Sequence, residues 1–264
     1  YLIYFGSWIF LARYFLGKSV AQDESGDPEL TLLMERRSGP ALLLYAFTLT
    51  FAAIDFIMSL NPHWFSTIFG VYYFAAGLVG FFSFLAISLV YLRSKNLLNG
   101  PVNVEHLHDV GKLLFAFNCF WAYIAISQYL LIWYANIPEE TVFFLVRQTK
   151  GWGVVSLMLV IGHFAIPFVF FMSRWMKRNP KTLFFWGVYL LIMNWVDIFW
   201  LVMPNIAFDH ETSAISFGMI LINVCCTIGV GGIFVAGILK FAGEKSLMPV
   251  RDPRLEESLK FHNI

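Results

Sequence analysis

Charged residues are scarce in this chain. Asp, Glu, Lys and Arg make up 13% of its 264 residues, which is about half their share in soluble domains, whereas hydrophobic residues make up 59%. A soluble globular domain is excluded, because too little polar surface would remain to face water. The formal net charge of +1 offers no basic surface, so we expect no nucleic-acid partner. The sequence predicts an integral membrane protein, with lipids as its surroundings.

Cysteine is also rare, and its spacing excludes the common metal and disulfide frameworks. Cys119, Cys225 and Cys226 lie in apolar runs without a Cys-x-x-Cys or Cys/His pattern. The apolar runs also hold no pair of histidines that could ligate a b-type haem. We therefore expect neither a metal site nor a cofactor bound by this chain.

Seven apolar runs are long enough, or nearly so, to cross a bilayer as helices of about 20 residues, and the alternation of a transmembrane barrel is absent. The runs are 1–16, 40–60, 66–92, 112–134, 151–173, 182–203 and 215–239. The predicted fold class is all-α: a polytopic transmembrane helical bundle over 1–247, with a cytoplasmic C-terminal tail over 248–264. Because the chain opens at Tyr1 without Met, we expect that an N-terminal portion is missing and that the first run is cut short.

Basic residues predict the orientation. Sixteen of the eighteen Lys and Arg residues fall on one set of connections, and only Arg147 and Lys150 fall on the other. Because cytoplasmic loops are enriched in Lys and Arg, the sixteen and the C-terminus are predicted to be cytoplasmic. The turn 61–65 and the loops 135–150 and 204–214 are then predicted to face outward. The polar stretch 22–28 is predicted to be a cytoplasmic loop, and the best candidate for disorder.

Asp55, His163 and Asp197 are ionisable residues inside apolar runs. Each costs roughly 2.5–3.5 kcal/mol at a helix centre, so each calls for a partner, a cavity or a role. Asp55 shares a helix face with Thr48 and Ser59 on the way to the turn that holds His63. It is either a carboxylate whose hydrogen bonds are satisfied by neighbouring groups, or a proton-carrying acid with His63 at the outer opening of the proton path.

Pro167 lies four residues after His163 and cannot donate a backbone hydrogen bond to the carbonyl of that residue. The helix should therefore bend and leave an acceptor beside the imidazole. A buried histidine is either a packed core residue or part of a proton relay, and both readings stay open for His163.

Further polar residues extend this pattern to both sides of the membrane. Asp197 and Gln128 are predicted at similar depth in the outer half. The segment Glu105–Lys112 is predicted to end a loop and begin a helix, with Asp109 near the helix N-terminus. There, His108 and Asp109 either gather protons or form a solvated cap. The candidates for a proton pathway are Asp55, His63, Gln128, His163, Asp197, His108 and Asp109.

Four strings resemble one family of membrane proteins. They are Asp55–Gly70, Ser127–Thr141, Leu201–Pro204 and Asp252–Leu259. Together they resemble the polysulfide-reductase-like (NrfD-like) membrane subunits, and most closely the second large, quinone-binding-type membrane subunit of bacterial alternative complex III, a quinol:cytochrome c oxidoreductase. The likeness covers most of the chain.

The resemblance implies about ten spans in two four-helix bundles with flanking helices, in the bacterial inner membrane. It also implies partners: a quinol-binding sister membrane subunit, an iron–sulfur subunit and haem c subunits. The iron–sulfur clusters and haems would lie in those partners, so this chain would belong to an oxidoreductase without a redox centre of its own. A bound quinone is possible on this resemblance but unproven, and proton translocation has been suggested for the family.

Three other readings compete with a proton-carrying subunit. A purely structural subunit would have buried polar groups that are satisfied by packing. A retinal protein needs a lysine in the middle of its last span, whereas Lys240 lies at the predicted cytoplasmic end. A stand-alone transporter would be expected to show a pair of broken helices, which the sequence does not suggest.

Overall fold

The apolar stretches form helices in the computed structural model, which describes residues 1–98, 101–207 and 215–262. No β-strand occurs within these ranges. The helices are α1 (Leu2–Ser25), α2 (Pro28–Phe56), α3 (Phe69–Ser94), α4 (Val104–Ala135), α5 (Pro138–Val146), α6 (Trp152–Met158), α7 (Ile166–Phe171), α8 (Arg174–Arg178), α9 (Pro180–Ala207), α10 (Phe217–Glu244) and α11 (Leu255–Leu259). A 3₁₀ turn, Met58–Leu60, follows α2, and a π-helical segment, Leu159–Ala165, joins α6 to α7. The all-α prediction is confirmed.

Six helical stretches in the described ranges are long and apolar enough to cross a membrane. They are Pro28–Leu60, Phe69–Ser94, Val104–Ala135, Trp152–Phe171, Pro180–Ile206 and Phe217–Glu244. The chain is therefore a multi-pass membrane protein, and six of the predicted runs coincide with these stretches. The predicted run 1–16 lies within α1, which is helical but is not among the six, so the seventh span stays a prediction.

Helix α4 begins earlier than its apolar run indicates. The side chain of Asn103 accepts hydrogen bonds from the backbone N–H groups of Glu105 (2.8 Å) and His106 (3.0 Å), and the His106 imidazole accepts from the Asn103 N–H. This capping box starts the helix at Val104, although the first turns are polar. The helix predicted to begin within Glu105–Lys112 therefore begins just before that segment, and Asp109 lies near its N-terminus, in the second turn of α4.

The polar stretch 22–28 is also more helical than predicted. Helix α1 continues to Ser25 and ends at Gly26, whose φ of 71° is the left-handed conformation that glycine adopts readily. Gln22 is buried, and its amide donates to Thr31 Oγ1 (2.5 Å) and to the Asp27 carbonyl (3.2 Å). These bonds hold the turn between α1 and α2, so most of the predicted loop is helix.

Two compact units divide the described chain: Tyr1–Leu49 with Ser216–Ile264, and Thr50–Ile215. In the first unit, the C-terminal tail contacts the last turn of α1. Arg251 donates from its guanidinium to the Glu24 carbonyl (2.7 Å) and from its backbone to Asp23 (3.2 Å). Helix α10 belongs to this unit and buries none of its residues within the described chain.

The second unit is a bundle of four membrane-spanning elements. Helix α3 packs against both α4 and α9, and the run α6–π–α7 packs against the same two helices. Small residues bring α3 and α9 together: a Cβ added at Gly187 would lie 3.1 Å from Ile87 Cγ1 and from the Ser83 carbonyl.

We call the end with connections 57–68 and 136–151 the Pro62 end, and the end with connections 95–103 and 172–179 the Pro101 end.

Candidate functional site

Asp197 is the enclosed acid of the bundle. It lies on α9, ten residues before the helix end at Ala207, or about 15 Å along the axis, and it is fully buried. Its Oδ1 accepts a hydrogen bond from the Tyr72 hydroxyl of α3 (2.5 Å), and its Oδ2 accepts one from Trp121 Nε1 of α4 (3.0 Å). Three helices thus meet at one carboxyl group, and each of its oxygens has a donor.

His163 lies beside this acid, on the other face of Trp121. The imidazole is fully buried and stacks on the indole with 3.8 Å between ring centroids. Neither ring nitrogen has a hydrogen-bond partner among the described residues. Trp121 therefore contacts both the carboxylate of α9 and the imidazole of the π-helical segment.

The carbonyl of His163 accepts a hydrogen bond from Asn118 Nδ2 (3.0 Å), one turn along α4 from Trp121. Because Pro167 cannot donate to this carbonyl, the prediction of a freed acceptor is confirmed. The irregularity takes the form of π-helical turns, and a second carbonyl in that segment, Gly162, accepts from the Tyr189 hydroxyl (2.9 Å). The π segment is therefore tied to α4 and to α9 through its backbone.

Arg147 is a buried cation at the Pro62 end of the bundle. Its guanidinium donates to the carbonyls of Phe143 (2.8 Å), Trp200 (3.1 Å) and Leu201 (2.8 Å), and more weakly to Asn205 Oδ1 (3.5 Å). It lies over the Phe143 ring at 3.5 Å from the centroid, a cation–π contact. Burial lowers the pKa of Arg147 to about 9, so the guanidinium keeps its proton at neutral pH.

Helix α5 positions the Arg147 side chain inside the bundle. The buried Trp64 stacks on Phe143 with 4.0 Å between centroids and donates from Nε1 to the Glu140 carbonyl (3.2 Å). This anchors α5 against the 57–68 connection, so that the residue after its last turn, Arg147, reaches the end of α9. The predicted outward loop 135–150 therefore contains a helix, and a positioning role for that helix was not predicted.

Two cavities meet at Arg147. The Pro62 cavity, of about 560 Å³, is lined by His63, Arg147 and Asn205 together with apolar residues of the connections. The α4–α6 cavity, of about 420 Å³, is lined by Tyr72, Trp121 and Arg147 and extends between α4 and α6. Arg147 borders both, and Tyr72 connects the second cavity to Asp197.

Several buried polar atoms lie between Asp197 and the Pro101 end. Within the described bundle, they have no hydrogen-bond partner: Ser83 Oγ, Asn194 Oδ1, Asn118 Oδ1, His163 Nδ1 and Nε2, and His108 Nδ1. Asn194 and Asn118 each lie one turn from the residues at the carboxyl site. His108 is buried near the start of α4, about 20 Å along that helix from Trp121. Polar side chains therefore continue along the bundle interior from the acid toward the Pro101 end.

The structure separates the seven predicted pathway residues. Asp197 and His163 share a site, and Gln128 is buried on α4. His63 is exposed and lines the Pro62 cavity. His108 is buried, whereas Asp109 pairs with Lys112 on the surface at 2.6 Å.

Asp55 is not enclosed by the fold. It is the penultimate residue of α2, and its side chain is exposed. The helix ends at Phe56, so Ser59 lies in the 3₁₀ turn, where its hydroxyl donates to the backbone carbonyl of Asp55 (2.6 Å) and not to its carboxylate. Ser59 therefore lies against Asp55, as the predicted shared face requires, but in a 3₁₀ turn and not in α2.

Tyr72, Trp121, Asn118 and Arg147 were not predicted from the sequence. Aromatic residues at span ends usually form the interfacial belt, so nothing local marks Tyr72 as a partner of an acid 125 residues away. Arg147 had one distinguishing feature: it is one of the two basic residues on the sparse set of connections. Within the described residues, no three His, Cys, Asp or Glu side chains are grouped so that they could hold a metal ion.

Comparison with known proteins adds no assignment: no protein-family model and no curated protein matches this chain.

Proposed function

We propose that this chain is a membrane subunit of a respiratory quinol:electron-acceptor oxidoreductase of the alternative complex III type. It scaffolds the complex and carries protons, without a redox centre of its own. The resemblance of Asp55–Gly70 and Ser127–Thr141 to that family supports the assignment. In this proposal its partners are the quinol-binding sister subunit, the iron–sulfur subunit and the haem c subunits, and the Pro62 end faces outward from the bacterial inner membrane.

The observation that carries the proton role is the position of Asp197. It is a fully buried carboxyl group inside a membrane-spanning bundle, in contact with a hydroxyl that borders a cavity. A charged residue at such depth is expensive, and it is usually found on ion or proton pathways. In the proposed role, Asp197 holds a proton, and the Tyr72 hydroxyl exchanges it with the Pro62 side of the bundle.

Arg147 would control access from that side. Its fixed positive charge stands between the Pro62 cavity, with His63 at the surface, and the α4–α6 cavity. A cation at the point where the two cavities meet repels other cations. Protons would therefore pass this point along hydrogen bonds and not as free hydronium.

From Asp197 toward the Pro101 end, His163, Asn118 and Asn194 are the next polar groups, followed by Ser83 and His108. Buried waters typically bridge such otherwise unsatisfied polar atoms. In the proposal these side chains form the part of the proton path that runs from Asp197 to the Pro101 end. Gln128 and Asp109 stay predicted members of it, and Asp55 stays a predicted group at the outer mouth.

A purely structural role is the second candidate, and one observation favours it. Both carboxylate oxygens of Asp197 have hydrogen-bond donors, as expected of an acid that only ties three helices together. In this case the site holds α3, α4 and α9 in register and moves no protons.

Replacing Asp197 with Asn separates the two candidates. Asparagine keeps the shape and can still accept a hydrogen bond from Tyr72, but it cannot release a proton. In the purified complex reconstituted into liposomes, the relay predicts fewer protons translocated per electron, with the subunits still copurifying. The structural role predicts an unchanged ratio.

Asp55→Asn is the matched control, because Asp55 is an exposed acid on a neighbouring element. We expect it to lower the ratio less than Asp197→Asn does. If Asp55→Asn lowers the number of protons translocated per electron while Asp197→Asn leaves it unchanged, the proton path does not pass through Asp197.

A further inference from the structure

The α4–α6 cavity is a second feature of the bundle, and the proton path does not use most of its walls. Its space arises where both helices present small side chains, Ala122 and Ala125 on α4 and Gly153 on α6. Around these, the walls are apolar and aromatic, including Phe164 and Trp200. A volume of about 420 Å³ is within the range of small-molecule sites.

The mouth of this cavity lies in the membrane-spanning part of the chain. Ile126, Leu157 and Val160 line it and are each more than half exposed. All three belong to stretches that are long and apolar enough to cross a bilayer. The cavity therefore opens between α4 and α6 toward the hydrocarbon of the membrane.

The polar groups on the walls are engaged elsewhere. Tyr72 and Trp121 donate to Asp197, and Trp200 Nε1 donates to Ser156 Oγ (2.8 Å). Ser156 in turn donates to the Arg147 carbonyl (2.8 Å), and the Arg147 guanidinium donates to three backbone carbonyls. These bonds leave few donors on the walls for a polar ring, so the walls suit a guest without hydrogen-bonding groups.

The rim has a different character at the Pro62 end. Gln148, which is exposed, lies just before α6, and Tyr129 is exposed on α4. Tyrosine and amide side chains suit the interface between hydrocarbon and headgroups. A guest with a polar head outside and an apolar chain inside matches this arrangement.

We propose that the α4–α6 cavity binds one acyl chain of a membrane phospholipid, with its headgroup beside Gln148, and that it is not a site for a quinone ring. The acyl chain replaces lipid–lipid contacts with contacts to Phe164, Trp200 and the small residues of α4 and α6. This inference does not depend on proton transfer through Asp197.

Photolabelling of the full complex in nanodiscs tests the proposal. The first probe is phosphatidylethanolamine with a diazirine on one acyl chain, and labelled peptides are mapped by mass spectrometry. We expect labelling of α4 around Ala122–Tyr129 and of α6 around Gly153–Val160. Ala125→Phe fills the cavity from its partly exposed side and should lower that labelling by about tenfold, a loss of about 1.4 kcal/mol in binding.

Ala46→Phe is the matched control, since Ala46 is exposed on α2 and does not line the cavity. It should leave the labelling of α4 and α6 unchanged. Two further probes, a quinone with an azide on its ring and a quinone with a diazirine on its isoprenoid tail, compete for the same site. Cavity labelling by either quinone probe in preference to the phospholipid overturns the proposal, as does phospholipid labelling that Ala125→Phe leaves unchanged.

Discussion

Helices α9 and α10 are both 28 residues long and both apolar enough to span a membrane, yet they treat their polar groups in opposite ways. On α9, the Asp197 carboxylate is bonded by side chains of two other helices. On α10, Asn223 donates to the Met219 carbonyl and Thr227 donates to the Asn223 carbonyl, both four residues back on the same helix. Length and hydropathy therefore do not predict which polar side chains of an apolar helix bond to other helices.

The largest expected effect comes from removing the cation that binds the end of α9. Arg147→Met keeps an apolar stem over Phe143 but removes the guanidinium donor of the Phe143 and Trp200 carbonyls, whereas the Leu201 carbonyl still accepts from Asn205 Nδ2 (2.9 Å). With a cost of about 1–3 kcal/mol for each buried group left unpaired, we expect a loss of several kcal/mol in the free energy of unfolding. Thermal unfolding of the detergent-solubilised protein measures it.

Lys240→Met, on α10, is the control for this comparison, because α10 buries none of its residues in the described chain. Its melting temperature should stay close to that of the parent protein. If Arg147→Met and Lys240→Met lower the melting temperature equally, the contacts of Arg147 with α9 are not a special source of stability.

A smaller effect is expected from removing one donor to Asp197. Tyr72→Phe leaves Oδ1 of the buried Asp197 side chain without its hydroxyl partner, and a buried acceptor left unsatisfied costs about 1–3 kcal/mol. On α10, Thr227→Val removes an exposed hydroxyl that donates to the Asn223 carbonyl of the same helix, so we expect a change of less than about 0.5 kcal/mol. Denaturation of both variants in the same detergent gives the loss in the free energy of unfolding for each. A larger loss for Thr227→Val would contradict the view that bonds between helices matter more for stability than bonds within α10.

Two glycine substitutions are expected to change the free energy of unfolding in opposite directions. Gly187→Ala places a Cβ 3.1 Å from Ile87 Cγ1 and from the Ser83 carbonyl, so overpacking should cost about 1–3 kcal/mol. Gly231→Ala on α10 meets no described atom within 4 Å, and alanine is favoured over glycine in a helix by about 0.8–1 kcal/mol. Melting temperatures should therefore fall for the first variant and stay level or rise for the second.

Repeating the Gly231→Ala measurement in the assembled complex sharpens the comparison. If a partner helix packs closely on α10, the same substitution becomes unfavourable there while staying neutral in the chain alone. An identical response in both preparations would show that this face of α10 has no tightly packed partner.

The stretches that form membrane-crossing helices were predictable from the local sequence pattern, whereas the first and last residues of these helices were less predictable. The apolar runs locate six of the membrane-crossing stretches, because a bilayer demands about 20 apolar residues with internally bonded backbone. The apolar run of α4 starts at residue 112, whereas the helix starts at Val104, because the capping box of Asn103 and His106 stabilises its polar first turns. The helical stretch that begins at Pro28 reaches Leu60, where the predicted run ends, but its last residues form a 3₁₀ turn.

The sequence by itself determined the all-α membrane architecture and the freed carbonyl of His163, because both follow from constraints within one segment: the apolar length of a run and the missing N–H of Pro167. Only the tertiary structure decided that Asp197 is enclosed and Asp55 is not, and that Tyr72, Trp121 and Arg147 surround the site. Helical periodicity states which residues share a face, but not which helix that face meets. Enclosure of an acid depends on how α9 packs against α3 and α4, which lie far from it in the chain.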